Sequence, residues 1–159
     1  MSAQKGGGLG EPEKALFNLG LSLLKTGAAA QGYGIFKGLS AANPHPAVFF
    51  NLALCQIEAG DRQGAAASLE RALALTGQGG RADASDSVYD RLRSSEKAGD
   101  GYRSPFHSEL PSLLPKYAKE CIRRCLVDVY SEMGLADKAR AAGASLEPGF
   151  ANVARALGN

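Results

Sequence analysis

Cys121 and Cys125 stand four positions apart, which puts both thiols on one face of a helix. Two thiolates so placed can share a metal ion. A structural zinc site takes about four ligands, and the chain's two histidines, His45 and His107, are not at ligand spacing to the cysteines. The pair is read as buried thiols, and neither a metal nor another cofactor is expected. The glycine-rich "TGQGG" at 76–80 suggests a phosphate cradle, but it lacks the Lys-Ser/Thr that would follow and the strand that would precede. No Ser-His-acid or Cys-His arrangement is readable. Two unplaced histidines offer little for proton transfer, so catalysis is not expected.

The residues with a readable chemistry are amides. "FNLGL", Phe17–Leu21, returns as "FNLAL", Phe50–Leu54, 33 positions further on. A carboxamide carries a donor and an acceptor, which together match the two polar groups of a peptide unit. Asn18 beside Phe17, and Asn51 beside Phe50, are thus suited to holding an extended peptide, the amide taking main chain and the ring offering an apolar pocket. Both asparagines could instead satisfy local groups, and the chain's own inserted segment could cover both rings. Arg123 and Arg124 add a pair of cations. Arg124 lies on the face equivalent to Phe50, where it can meet an acidic group or remain solvated.

The elements that would carry these side chains are all helical. Pro12 fits the first turn of a helix bearing Leu16, Leu19, Leu23 and Leu24, ended by Gly27. A second helix is expected over 29–42, interrupted by Gly32, Gly34 and Gly38, whose cost close packing would offset. "NPHP" breaks the chain. Helices are expected over 47–59 and 62–75, with Asp61 as N-cap between them. A linker-like stretch follows, containing one short helix at 86–96 between mobile loops. Further helices are expected over 112–133, 136–146 and from Pro148 to the end. At the 33-residue offset Leu19 meets Leu52, Gly20 meets Ala53, Gly27 meets Gly60 and Gly32 meets Ala65. Leu19 with Leu52, and Gly20 with Ala53, are expected to be equivalent core positions. The small residues let paired helices approach closely.

At these residues the chain resembles the tetratricopeptide repeat family. "ALFNLG" (Ala15–Gly20) is similar to that repeat's opening, with Leu16 in place of the usual Trp. "VFFNLALCQIEAGDRQGAAASLERALAL" is closer, through Phe49, Leu52, Ala53, Gly60, Ala65, Leu69 and Ala72. A third copy, "CIRRCLVDVYSEMGLADKARAAGASLEPG", fits at Leu126, Tyr130, Gly134 and Ala139. The resemblance implies an all-α, right-handed superhelical array of antiparallel helix pairs. Repeats would span about 12–43, 46–77 and 112–147, with an insertion at 78–111 and a capping helix at 148–158. It further implies that the first helix of each pair lines a concave wall. Lys14, Phe17, Asn18 and Leu21 would form one rung, Phe50, Asn51 and Leu54 the next, and Arg124 and Asp128 a third. The expected function is an adaptor that binds a partner protein's peptide in this groove. Removing both amides would weaken binding and leave the fold intact. The chain is also broadly similar to the cytoplasmic chaperones of type III translocator proteins, and self-assembly into a structural oligomer is a third reading.

The totals are compatible with such a module. A net charge of +2 lacks the basic footprint of a nucleic-acid binder. No run approaches the ~18 apolar residues needed to cross a membrane, and "MSAQKGGGLGEPEK" has no signal-peptide core. Three cysteines, an odd number, do not form a disulfide framework, so a reduced, cytoplasmic protein is expected, with residues 1–10 as a disordered leader and 11–159 as one domain.

Overall fold

The computed structural model describes residues 8–77 and 87–158 of the chain. Among the described residues the secondary structure is helical, without strands. Helix α1, Glu11–Lys25, opens with Pro12 in its first turn, where a missing N–H costs nothing. Helix α2 is Ala29–Ala42 and α3 is Pro46–Glu58. The Nδ1 of His45 caps α3 by accepting from the Ala47 amide at 3.1 Å. Helix α4, Arg62–Leu75, is capped by the Asp61 carboxylate, which accepts from the Gly64 amide at 2.9 Å.

After the undescribed 78–86 come α5, Ser87–Glu96, a 3-10 turn at Gly101–Arg103, and the one-turn α6, Leu110–Leu113. The remaining helices are α7, Pro115–Glu132, α8, Ala136–Ala144, and α9, Ala151–Leu157. No helix among the described residues is long and apolar enough to cross a membrane.

Three helix pairs are joined by the same turn. Gly27, Gly60 and Gly134 have φ of +88°, +80° and +76°, the left-handed region that glycine enters without a steric penalty. In each, the glycine N–H donates to a carbonyl three residues back: Leu24, Ile57 and Ser131, at 3.0–3.1 Å. The next N–H donates five residues back, to Leu23, Gln56 and Tyr130, at 2.8–2.9 Å. This pair of hydrogen bonds closes a helix end and turns the chain into the following helix. Helices α1 and α2, α3 and α4, and α7 and α8 are thereby paired. The pairs also pack on one another, α2 on α3 and α4 on α7, and α9 closes on α7 and α8.

Close approach is built from small residues at some positions only. A Cβ on Gly20 would lie 2.9 Å from the ring of fully buried Phe36, and one on Gly32 would lie 3.2 Å from Leu24. Gly34 and Gly38 face open space, so packing does not account for them.

Several expectations need correction. Leu19 is 51 % exposed and Leu16 47 %, whereas Leu52 is 2 % exposed. Helix α3 lies between α2 and α4, but α1 heads the series, and its inward side carries Phe17, Gly20 and Leu21 instead. The expected long helix from 112 divides at Leu114, because a residue preceding proline is kept out of the helical region. The last helix begins at Ala151 rather than Pro148, after Gly149 at φ +110°. The short helix in the insertion is present, but the chain after it is not a free loop: Tyr102 and Phe106 are 5 % and 2 % exposed. The expected leader lies, over 1–7, outside the described residues, as does the start of the insertion.

Candidate functional site

Asn51 sits in the middle of α3 and is fully buried. Its Nδ2 donates to the carbonyl of Phe106 at 3.0 Å, and its Oδ1 accepts from the Phe106 amide at 2.8 Å. One side chain thus reads both polar groups of a single residue's main chain. Phe50, the preceding residue, stacks on the Phe106 ring, with centroids 3.8 Å apart and planes at 13°. The strap 104–109, which runs between the 3-10 turn and α6, is therefore seated on α3 by its main chain and by its aromatic side chain together. Ser104, His107 and Glu109 of the strap are exposed, and Phe106 is its buried anchor.

The strap also meets the neighbouring helices. Before it, the Tyr102 hydroxyl donates to Asp128 of α7, and Arg103 pairs with the same carboxylate at 2.9 Å. After Phe106, Glu109 reaches Lys14 of α1 at 3.9 Å. The chain therefore passes from α7 across α3 to α1. Asp128, Phe50, Asn51 and Lys14, four of the residues singled out in the sequence, touch this one segment.

Arg124 is buried, 3 % exposed, and does not face solvent. Its guanidinium lies 4.0 Å from the Tyr102 ring centroid and 4.7 Å from that of Phe150. It donates to Asn152 Oδ1 at 2.7 Å and to the carbonyls of Lys97 and Gly99 at 3.2 Å. Those carbonyls lie just past the C-terminus of α5, where a cation is favoured. Asn152 returns two bonds, to the Arg124 carbonyl at 3.0 Å and to Asp128 at 2.8 Å. Arg124 and Asp128 thus bind the inserted segment and α9 to α7. The desolvated guanidinium has a lowered pKa, offset by Tyr102 and neighbouring groups; guanidinium remains charged at neutral pH regardless.

The first rung differs from the second. Phe17 is fully buried and makes an edge contact with Phe36, centroids 5.3 Å apart at 78°. Leu21 is 7 % exposed and also belongs to the core. Leu54 is half-buried against the core. Asn18 is exposed, and its side chain makes no hydrogen bond to another described residue. The two asparagines are thus equivalent in sequence but not in environment, and Asn51 cannot be removed without disturbing the fold.

Phe106, Tyr102 and Asn152 complete the arrangement and were not among the candidates. The signal for the first two was aromatic residues within an otherwise polar stretch, which must be buried somewhere. Asn152 is the polar residue among Phe150, Val153 and Leu157. All three cysteines are buried. Burial pushes the Cys121 thiol up to about 12 and the Cys55 thiol up to about 11, so both stay protonated and poor as ligands or nucleophiles at neutral pH. Among the described residues no group of three or more His, Cys, Asp or Glu is placed to hold a metal ion. No family model, curated protein or solved structure matches the chain.

Proposed function

We propose that the chain is a protein-interaction module whose helix pairs form a tetratricopeptide-like array, and that its inner wall, made by α1, α3 and α7, holds an extended peptide of a partner protein. The observation that carries this reading is the pair of bonds from Asn51 to the Phe106 main chain, with Phe50 stacked on the Phe106 ring. It supports the reading because the contact is indifferent to whether the peptide is tethered: the amide recognises a main chain and the ring recognises an apolar side chain. Asn18, one repeat away and exposed, supplies the same group to a second peptide unit.

The test begins with affinity capture on the purified chain and identification of the retained protein by mass spectrometry. Its affinity is then measured by calorimetry for the wild type and for Asn18→Ala. A loss of about 0.5–1.5 kcal/mol, one net hydrogen bond, is expected for the variant. Equal affinity for both would place binding elsewhere. Self-association is a second reading, favoured by Leu16 and Leu19 on the outer side of α1. Leu16→Glu would then lower the solution mass measured by sedimentation, whereas a monomeric wild type would dismiss it.

A further inference from the structure

The strap 104–109 makes the contacts expected of a bound peptide, and it makes them incompletely. It is irregular chain with one buried anchor, Phe106. Opposite charges flank the anchor: Arg103, just before the strap and three residues before Phe106, meets Asp128 on α7, and Glu109, three residues after, meets Lys14 on α1. The strap then leaves the wall. Chain coils into α6 at Leu110, with Pro111 in its first turn, before it can pair with Asn18. Asn18, exposed and one turn beyond Lys14 on α1, is the amide equivalent to Asn51 that the strap does not use.

We propose that the strap is a tethered stand-in for the partner, displaced by an extended segment carrying a basic residue three positions before, and an acidic residue three positions after, a central aromatic residue. This rests on the peptide-binding reading above and gives it a sequence. Displacement is an exchange, since one aromatic ring and one peptide unit replace another on Phe50 and Asn51. The tether gives the strap an effective concentration of about a millimolar. With an intrinsic Kd of about 0.01 mM for the strap itself, a competing peptide is then masked roughly a hundred-fold. The surplus contact with Asn18 favours the incoming peptide.

The probe is a fluorescein-labelled synthetic peptide of residues 101–110, which ends before Pro111. Its binding is read by anisotropy on the full chain. Phe106→Ala in the protein should raise affinity for this peptide about ten-fold or more. In that background Asn18→Ala should lower it about three- to ten-fold without moving the melting temperature. A peptide carrying the same Phe106→Ala change should not bind. Equal affinity of wild type and Phe106→Ala would overturn the stand-in while leaving peptide binding intact. Absence of binding to both up to millimolar peptide would overturn the proposed sequence, and the captured partner's affinity for Asn18→Ala would then decide the broader reading separately. Should Phe106→Ala fail to fold, the unaltered chain gives the answer. In ¹⁵N-labelled protein, saturating unlabelled peptide should move the Phe106 amide resonance to a solvent-exposed position. Bound peptide with an unmoved Phe106 resonance would refute displacement.

Discussion

Asn18→Ala and Asn51→Ala remove the same group from equivalent places in the repeated pentapeptide, yet their consequences should differ widely. Asn18 is exposed, and its removal should change stability by no more than about 0.5 kcal/mol. Asn51 is fully buried and makes two bonds to the Phe106 main chain at 2.8 and 3.0 Å. The alanine variant has two ways to respond. With the strap in place, the Phe106 N–H and C=O are left unpaired in the interior, each costing about 1–3 kcal/mol. With the strap lifted, both groups reach water, but burial of the Phe106 side chain is lost, at about 1.5–3 kcal/mol. The chain takes the cheaper route, so the expected loss is about 1.5–3 kcal/mol, limited by the cost of releasing the strap. For a chain of this size that corresponds to a melting-temperature drop of about 3–12 °C. The assay is urea denaturation followed by circular dichroism, with a thermal melt alongside, on wild type and both variants. Should Asn51→Ala match Asn18→Ala within about 0.5 kcal/mol, the paired main-chain bonds do not hold the strap, and the site reasoning fails.

Three further outcomes test the fold. Gly34→Ala and Gly38→Ala should each stabilise the chain by about 0.5–1 kcal/mol in urea denaturation, because both sites are helical and open; a loss at either would mean a contact has been overlooked. Leu52→Ala should cost about 2–5 kcal/mol, but Leu19→Ala at the matching position less than about 1 kcal/mol, by the same measurement; equal costs would restore the equivalence that exposure denies. The third outcome concerns pH. Burial lowers the pKa of His45 below 6.5, and its Nδ1 serves as an acceptor only while unprotonated. The unfolded chain therefore binds the proton at higher pH than the folded one, so this contribution is complete above pH 6.5 and declines as pH falls through the folded-state value. His45→Asn, which caps without titrating, should make the urea midpoint less dependent on pH between about 7.5 and 5, and an unchanged dependence would assign the effect to other groups.

What the sequence determined by itself was whatever rests on local rules. Helix type followed from apolar spacing, and the bounds of α2 and α4 were legible residue by residue because Gly27, Asp61 and the breaks around them act within one turn. The three glycine turns were legible for the same reason, since a left-handed residue that closes a helix end is a local feature for which glycine is the usual choice. The recurrence of Phe-Asn-Leu singled out two amides, Asn18 and Asn51, of a type suited to hydrogen-bonding a main chain. Only the tertiary structure decided which asparagine does so here and what it holds. Burial is a property of neighbours rather than of spacing: α3 lies between α2 and α4, whereas α1 heads the series, so Leu52 is covered and Leu19 is not. The meeting of Asn51 with Phe106 joins residues 55 positions apart in the chain, and no periodicity connects them. Arg124 read as a charge awaiting a partner, because a guanidinium's default is water. Its burial depends on the carbonyls of Lys97 and Gly99 arriving from the end of α5 and on Asn152 arriving from α9. Those groups converge only once the long-range packing has formed.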